Sequence, residues 1–558
     1  MKYRTEVDGL RTLAIVPVLL YHAGLQLGDW RVLPGGFLGV DVFFVISGYL
    51  ITRLILEERQ ASGKFNFLGF YERRARRLLP VLLLVMLFCI PLAWYWLLPE
   101  QLMDFARSML ASLGFVSNVY WQITLQAYEA ESALLRPLLH TWSLAVEEQY
   151  YLLMPLLLLW LRPTRLGWTL GCLLLVSLLA AHGLSGQQQA LAFYLLPTRI
   201  WEMLAGSLLA WLALRRNSEL TLGRLGSALA LCGLIAIGLS MLLLDFSARH
   251  PGLVTLVPVV GCMLVIQFAN ATNAPGRWLS WPPMVWAGLL SYSLYIWHYP
   301  IFAFGRIVRE QPQLADKLVW LMLTLGLSVI GYWLIEKPCR NRQLLGRRQF
   351  VLSCSGGVAT VLVASLWLMS NDGHAGRFGY IGQVLTQAKR AWLEQDGRIC
   401  HSGGMGRKEF LLDQSCEFID FPGGRYLVLI GDSHAATIQN DLRSYAREQG
   451  LNYTQFTNAW CNHIEGLSSQ DALCLQRSTQ VLTRLEELDK PLVVYASRIP
   501  YRVEMERFSS KSGAQEAGYR PRPTDWALQQ PQIMHKITEG LERIAQRAGQ
   551  LVLVYPVP

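Results

Sequence analysis

Charged side chains are scarce in this chain. Asp, Glu, Lys and Arg make up 16% of its 558 residues, whereas hydrophobic residues make up 52%. A single soluble domain of this length would need more charged surface, so the composition excludes one and favours a protein with several membrane helices. The sequence also lacks any Cys/His spacing typical of a metal site and any glycine-rich nucleotide-binding loop. It therefore predicts no metal.

The basic excess is confined to one part of the chain. Residues 371–558 hold 21 basic and 21 acidic residues, so the net charge of +10 comes from the 29 basic and 19 acidic residues of 1–370. Basic residues in the cytoplasmic loops of a membrane protein account for this excess, and no nucleic-acid partner is indicated. No cleavable signal peptide is evident, and the first helix is predicted to be an uncleaved signal anchor.

Apolar runs of spanning length predict the membrane region. The segment 102–122 is less apolar, and if it crossed, all the later basic clusters would lie outside the cell. We therefore expect it to be re-entrant or interfacial. The N-terminus is then cytoplasmic, and an odd number of crossings places everything after residue 370 outside. The eleven predicted spans are 10–27, 36–56, 79–98, 143–161, 166–183, 195–213, 225–244, 252–268, 284–305, 316–335 and 349–370.

The first of these helices carries two ionisable residues, Arg11 and His22. A helix separates them by about 16 Å along its axis. Arg11 is expected near the cytoplasmic interface and His22 towards the far side. Ionisable side chains within lipid are costly and indicate a functional site. The alternative is that Arg11 merely extends to the interface and His22 joins a helix–helix contact.

Other polar motifs follow in the first half of the chain. Four arginines in the first cytoplasmic loop either reflect the general excess of basic residues in such loops or form a site for a multiply charged phosphate. Adjacent carboxylates at the start of a membrane helix need partners. His298, in SYSLYIWHYP, is interpreted as a packed aromatic-belt residue rather than a catalyst. The candidate site residues are Asp41, Ser47, Arg73, Arg74, Arg76, Arg77, His140, Glu147 and Glu148.

Five motifs in this order resemble the acyltransferase-3 family of integral-membrane acyltransferases, over roughly residues 1–345. They are the Arg11-x10-His22 pair, GVDVFFVISGYLI, RRARRLLP, HTWSLAVEEQYY and SYSLYIWHYP. The resemblance implies transfer of an acyl group, often acetyl, from a cytoplasmic acyl-CoA donor to an envelope carbohydrate. It also implies that His22 is catalytic and that Arg11 and the arginine-rich loop are essential.

The positions of these residues agree with that chemistry. Arg73 to Arg77 could hold the phosphates of coenzyme A at the cytoplasmic face, while its long arm threads towards His22. His22 could act as general base on a sugar hydroxyl that attacks the thioester. A covalent acyl-histidine is the alternative.

Beyond the membrane region, RYLVLIGDSHAATIQNDL indicates a strand, a sharp turn and a helix. Ser433 then stands at a helix N-terminus, where backbone N–H groups can stabilise an oxyanion, or it is simply a helix cap. Buried-strand runs at 491–497 and 550–556, separated by a helical stretch at 529–547, predict an α/β domain with a parallel sheet.

GDSHA matches the nucleophile block of SGNH hydrolase-like domains, and fusion to acyltransferase-3 helices is typical of O-antigen and other envelope-polysaccharide acetylases. The resemblance makes Ser433 the nucleophile and Asp432 the residue that fixes the turn. Asn458 and Asn462 are candidates for the oxyanion hole. The Asp-x-x-His block that supplies the base is not found downstream, and His434 is too close in the backbone to be the obvious substitute. The sequence therefore predicts either that this domain is incomplete or that its base comes from elsewhere.

The predicted domains are a transmembrane domain (1–345), a further helix (346–370), a periplasmic connector (371–420) and the SGNH-like domain (421–558). Four cysteines of the outer region lie in an oxidising compartment, which favours two disulfides, Cys400–Cys416 and Cys461–Cys474 by proximity.

The sequence leaves three functions open: an inner-membrane O-acyltransferase for O-antigen, another envelope polysaccharide or a lipid-linked precursor; a transporter or flippase; and a membrane-tethered esterase. In an acyltransferase, the membrane domain acylates the sugar directly, or Ser433 receives the acyl group and passes it on.

Overall fold

The computed structural model forms two compact units, one ending at Gly373 and the other containing the described residues from His374 onward. The first is helical and the second combines helices with a sheet. The structure describes residues 3–28, 30–125, 132–215, 223–245, 248–309, 311–379, 394–395, 398–402, 416–458, 461–464, 472–497 and 526–554.

The helical unit contains seventeen α-helices and one small hairpin among its described residues. A π-helical turn, Tyr332–Glu336, joins α15 to α16. The hairpin pairs β1 (Gln26–Leu27) with β2 (Trp30–Arg31). The helices are α1 Thr5–Ala23, α2 Gly39–Ser62, α3 Phe67–Trp96, α4 Pro99–Leu113, α5 Ser117–Thr124, α6 Thr141–Trp160, α7 Pro163–Ser185, α8 Gln189–Tyr194, α9 Leu196–Arg215, α10 Gly223–Leu243, α11 Leu256–Phe268, α12 Ala274–Leu279, α13 Pro282–Leu289, α14 Ser291–Val308, α15 Leu314–Gly331, α16 Lys337–Arg340 and α17 Arg347–Ser370.

Six helical segments in the described part of the chain are long and apolar enough to cross a membrane, which confirms the predicted multi-span character. Helices also occupy the other predicted spans, but several of these carry charged residues, such as Asp8 in α1, Glu147 in α6 and Arg199 in α9. The six segments are Gly36–Ser62, Phe67–Trp96, Thr164–Ser185, Gly223–Leu243, Leu314–Arg340 and Arg347–Ser370.

Two predicted segments are each divided in the structure. The segment 284–305, predicted as one span, contains the end of α13 and most of α14, with a break at Leu290 where α13 packs on α1. The segment 102–122 contains most of α4 and part of α5. Its break follows Gly114, and Phe115 has a positive φ of 50°. At 1.5 Å per residue α4 is about 22 Å long, shorter than the hydrocarbon core of about 30 Å.

Helices α2 and α9 form the most extensive helix pair of the unit. Gly48 of α2 lies so close to α9 that an added Cβ would stand 1.9 Å from the carbonyl oxygen of Met203. Small residues at such positions let membrane helices approach and gain dispersion energy. The close pair holds the polar residues of α2 in a fixed position.

The second unit is built on a mainly parallel sheet, which confirms the predicted α/β class. The sheet order is β10, β9, β7, β8, β5, and β6 adds an antiparallel pair to β8. Apolar side chains on both faces, such as Val428 and Leu429, make β7 a central buried strand. The strands are β5 His401–Ser402, β6 Glu417–Phe418, β7 Tyr426–Gly431, β8 Asn452–Asn458, β9 Leu492–Ala496 and β10 Gln550–Val554, and a separate hairpin joins β3 Glu394–Gln395 to β4 Arg398–Ile399.

Two strands of the sheet lie before residue 421, where the sequence predicted that the SGNH-like domain begins. Strands β5 and β6 belong to the stretch that the sequence assigned to the connector, yet they join the sheet. Each has only two residues, too short for an alternating pattern to reveal it. The described helices of this unit are α18 Ser433–Thr437, α19 Gln439–Glu448, α20 Ala472–Glu487 and α21 Trp526–Arg547.

Candidate active site

A cavity of about 670 Å³ lies within the helical unit, and arginines crowd one end of it. Its lining runs along α2 from Val40 to Leu54, which is roughly 21 Å by helical rise. The cavity therefore has the length and the charge for an elongated anionic ligand. The arginines are Arg11, Arg73, Arg74, Arg76, Arg77, Arg340 and Arg342, of which the last two come from a basic loop that the sequence interpreted only as a cytoplasmic marker.

The four arginines of the RRARR run are not equivalent. Arg76 is buried and is held by Glu72 at 3.0 Å and by the carbonyl oxygens of Cys339 and Leu345 at 3.1 and 2.8 Å. Its guanidinium also lies over the ring of Phe350. These contacts make Arg76 an anchor for the loop before α17, which differs from the predicted role as a direct ligand for phosphate.

Arg74 and Arg73 also have carboxylate partners. Arg74 donates to Glu148 at 2.9 Å and lies 4.0 Å from the centroid of the Tyr151 ring. The predicted need of Glu148 for a partner is met by this pair. Arg73 is half-exposed and lies 3.6 Å from Glu58, so its charge is partly balanced within the protein.

Arg77 differs from its neighbours. Its side chain lines the cavity, and it forms no ion pair within 4.0 Å in the part of the chain that the structure describes. Arg11, Arg74 and Arg340 act on it as like charges, and Glu336 acts on it as an opposite charge. Like charges held together in this way repel one another, so an anion bound between them would be strongly stabilised.

Away from the arginines, the cavity is lined by neutral and acidic polar groups. Ser47 donates to Glu147 at 2.9 Å, and Tyr151 donates to the other oxygen of that carboxylate at 3.3 Å. Further along, Ser143 and the hydroxyl of Tyr295 lie 2.6 Å apart. Ser47 and Glu147, two predicted site residues, thus meet across α2 and α6 on the wall of one cavity.

Three histidines lie together beyond Tyr295. His22 Nδ1 is 3.1 Å from His298 Nε2, and the two rings stack with their centroids 5.2 Å apart. The His140 ring lies 5.5 Å from that of His298 and 5.4 Å from that of Tyr295. The sequence interpreted His298 as a packing residue, but the structure makes it the hydrogen-bond partner of His22. Its only signal in the sequence was a histidine inside a membrane helix.

Asp41 belongs to a separate buried cluster. Its carboxylate lies 3.2 Å from Arg199 and 3.7 Å from His250, and Arg199 is 3.3 Å from Glu202. All four residues are buried, and buried charges of this kind must be paired. The cluster joins α2 to α9, and Asp41 does not line the arginine-rich cavity.

In the second unit, β7 ends in the sharp turn that the sequence predicted. Gly431 has φ +150°, and an added Cβ would lie 1.7 Å from the carbonyl oxygen of Ala496, so no other residue fits. Asp432 accepts a hydrogen bond from the backbone N–H of His434 at 2.9 Å and from the Ser497 hydroxyl at 2.9 Å. Asp432 therefore holds the turn from which Ser433 opens α18.

The surroundings of this turn contain two histidines that the sequence did not single out. Burial lowers the pKa of His401 to about 4, and the nearby Asp432 carboxylate acts in the opposite direction. Burial and the charge of Arg477 lower the pKa of His463 to about 3. Both imidazoles are therefore neutral at neutral pH, and burial makes each a weaker base than an exposed imidazole. The sequence search overlooked them because it looked for an Asp-x-x-His block, to which neither histidine belongs.

The two asparagines proposed for the oxyanion hole lie near the same end of the sheet. Asn458 is the last residue of β8, whose preceding residue, Thr457, pairs with Gly431. Asn462 is buried, and its carbonyl oxygen accepts a hydrogen bond from Tyr495 at 2.8 Å. Strand register therefore places Asn458 next to the Ser433 turn.

The structure contains the disulfide Cys461–Cys474, with Cα atoms 5.5 Å apart. The other predicted bond, Cys400–Cys416, is not formed. Both of these cysteines pack in the cluster that includes Phe418. Among the described residues no group of three or more His, Cys, Asp or Glu side chains could hold a metal ion.

Comparison with known proteins matches both units. A family model described as "Acyltransferase domain" matches residues 4–337, and one described as "SGNH domain (fused to AT3 domains)" matches residues 399–558. O-acetyltransferase OatA of Staphylococcus aureus (strain MRSA252) is 31% identical over 408 residues, which cover 70% of this chain and 66% of that protein. Peptidoglycan O-acetyltransferase OatA of Listeria monocytogenes is 30% identical over 359 residues, 61% of this chain and 56% of the relative. The chain thus spans two thirds or less of these relatives, and no solved structure matches it.

Proposed function

The chain belongs to the acyltransferase-3 family of membrane acyltransferases fused to SGNH domains, and from this membership we propose that it transfers an acetyl group from an acyl-CoA donor to a hydroxyl of an envelope polysaccharide. The observation that carries this proposal is the single cavity that joins a cluster of arginines to the polar groups beside the histidines. An acyl-coenzyme A molecule would match this cavity, because its phosphates lie at one end and its thioester lies at the other.

The charges of the cavity support a definite orientation for the donor. Arg77 would contact the phosphates, because it forms no ion pair among the described residues. Arg11 and Arg340 line the same cavity, but each is paired with a carboxylate, Asp8 at 2.6 Å and Glu336 at 3.5 Å. The arm would extend past Ser47 and Glu147 towards Tyr295. The thioester would then stand at the end of the cavity next to the histidine cluster.

The chemical step requires one base. His22 would take the proton from the acceptor hydroxyl as its oxygen attacks the thioester carbonyl carbon. The carbon–sulfur bond then breaks, and the thiolate leaving group takes the proton from the His22 imidazolium. The products are the ester of that hydroxyl and free coenzyme A.

For the arrangement in the membrane, we propose eleven crossings with a cytoplasmic N-terminus and the second unit in the periplasm. The six long apolar helices support several crossings. The concentration of arginines at one end of the cavity supports a cytoplasmic position for that end, since basic residues are retained there. The donor would enter from the side where acyl-CoA is made.

The outer unit would complete the reaction as a relay. Its serine cannot reach a cytoplasmic donor, because the hydrocarbon core alone is about 30 Å thick. We propose that the membrane domain passes the acetyl group outward, that Ser433 receives it as an ester and that the sugar hydroxyl then takes it. A serine ester divides the transfer into two easier steps. The neutral His401 and His463 lie within electrostatic range of Asp432, the residue that fixes this turn.

The acceptor is proposed only as a class. The Listeria relative is named for peptidoglycan, whereas the sequence resemblance pointed to O-antigen. Deleting the gene should remove O-acetyl esters from one envelope glycan, and the full-length protein should restore them. Mass spectrometry of purified peptidoglycan and of lipopolysaccharide, each before and after mild alkali to remove esters, identifies which glycan carries the O-acetyl groups. Identical esters in both glycans with and without the protein would contradict the proposal.

The two adjacent arginines allow a sharp test of donor binding. Arg77→Ala should raise the donor KM about tenfold or more, since a charge-assisted hydrogen bond contributes roughly 1.5–3 kcal/mol. Arg77→Lys should recover part of the affinity by retaining the charge. Arg76→Ala should instead lower the thermal stability, because it removes one of the two arginine partners of Glu72 and the donor to two backbone carbonyl oxygens.

The measurement is acetyl-CoA saturation kinetics on purified full-length protein, together with its thermal unfolding in detergent. If Arg76→Ala were stable with a raised KM while Arg77→Ala behaved as the parent, the assignment of the two roles would be reversed.

A further inference from the structure

The hydrogen bonds of His298 determine which of its nitrogens carries a proton. His298 Nδ1 lies 2.5 Å from the backbone carbonyl oxygen of Tyr295. A carbonyl oxygen can only accept, so Nδ1 must carry the hydrogen. In a neutral imidazole the other nitrogen, Nε2, is then an acceptor. The His298 ring is buried away from water, where a neutral side chain is less costly than a charged one.

The tautomer of His298 in turn determines which ring nitrogen of His22 carries a proton. His22 Nδ1 is 3.1 Å from His298 Nε2, and since that nitrogen accepts, His22 Nδ1 must donate. The lone pair of a neutral His22 then resides on Nε2. That nitrogen has no hydrogen-bond partner in the described part of the chain, and His22 is partly exposed whereas His298 is buried.

We infer that His298 is a positioning residue that holds His22 in the tautomer with a proton on Nδ1 and a free lone pair on Nε2. This inference rests on the proposed role of His22 as general base. The bond has a second effect, because a hydrogen bond from Nδ1 to a neutral acceptor stabilises the imidazolium that forms when His22 takes the proton of the acceptor hydroxyl. Arg306 also donates to the backbone carbonyl of His22 and fixes the end of α1.

A partner on another helix can keep His22 in the tautomer that a general base needs. A free imidazole exchanges between two tautomers, and only one presents its lone pair to the substrate. At metal sites, the partners that orient a ligating histidine and fix its tautomer are worth about 10–100-fold in activity or metal affinity, and we expect a similar effect here. The chain Tyr295–His298–His22 supplies such a partner from α14 to α1.

Two substitutions at one position test this role. Glutamine can place its amide oxygen near the position of His298 Nε2 and accept from His22, whereas methionine has similar bulk but no comparable acceptor. We expect His298→Met to lower kcat about 10–100-fold with the donor KM changed by less than about threefold, and His298→Gln to recover most of that loss. Phe302→Leu, in the same helix and packed on the His298 ring, is the control for a general packing defect.

A measurement on the parent protein does not depend on how the variants fold. Solid-state ¹⁵N spectra of histidine-labelled, full-length protein in lipid distinguish protonated from unprotonated ring nitrogens. The signals that disappear in His22→Ala should be a protonated Nδ1 and an unprotonated Nε2. A protonated Nε2 on His22, or a His298→Met enzyme with the parental kcat, would overturn the inference.

The outcomes also separate this inference from the proposed function. If His22→Ala retained full transfer, the proposed function of His22 itself would fail. If His22 were essential and His298→Met were fully active, only the positioning role would fail.

Discussion

His22→Ala should abolish acetyl transfer while the protein remains folded and inserted. General base catalysis contributes about 10²–10⁴-fold to a rate, so the variant should show at most 1% of the parental kcat. Folding should be little affected, because His22 is partly exposed and lies in the last turn of α1. The measurement is transfer of labelled acetyl from acetyl-CoA by purified protein, with the amount of folded enzyme determined by size-exclusion chromatography.

The control for this variant is another histidine of the helical unit. His182 lies in the last turn of α7 and makes no ring contact with the cluster of His22, His140 and His298 in the described structure. His182→Ala should retain parental transfer. Full glycan acetylation by His22→Ala would show that His22 is not catalytic. Its contacts with His298 would then serve only to stabilise the fold.

Ser433→Ala should reduce glycan acetylation to the level of a strain without the gene. In the relay, the serine is the only carrier of the acetyl group between the membrane domain and the sugar, so its removal interrupts the reaction completely. The turn should survive the substitution, since Gly431 and the contacts of Asp432 with His434 and Ser497 define it. Peptide mass spectrometry of the parent should detect an acetylated Ser433 that hydroxylamine removes.

The matched control is Ser444→Ala, an exposed serine of α19 whose hydroxyl contacts only its own helix. It should leave acetylation unchanged. The His22→Ala protein should also lack acetyl-Ser433, because the group never leaves the donor. Unchanged acetylation in Ser433→Ala would eliminate the relay, and the direct model would remain, in which the membrane domain acylates the sugar and the outer unit binds or orients it.

Features of the fold that depend on residues close together in the chain could be predicted from local sequence patterns. Apolar runs predicted the membrane helices, and the alternation of buried strands with a helix predicted the sheet of the outer unit. The GDSH turn was predictable because Gly431 and Asp432 act on residues only a few positions away. The disulfide Cys461–Cys474 followed from proximity, with a separation of 13 residues.

The features that the sequence did not reveal depend on contacts between distant residues. His298 is 276 positions from His22, and the carbonyl oxygens that hold Arg76 are 263 and 269 positions away. Nothing in the RRARR run distinguishes an arginine that anchors a loop from one that faces a cavity. The partner of Asp41, Arg199, likewise comes from another helix. Such roles follow from packing and were therefore accessible only from the structure.

The central claim is that the acetyl group enters at the arginine-lined end of the membrane domain and reaches the acceptor on the opposite side. Full-length protein reconstituted in sealed vesicles, with a fixed and measured orientation, tests this claim most directly. Labelled acetyl-CoA is supplied on one side and an envelope glycan acceptor on the other. We predict labelled ester on the glycan only when the donor is on the side of Arg73 and Arg342, and none with His22→Ala. Ester formed only when donor and glycan share the side of the SGNH domain would contradict the account.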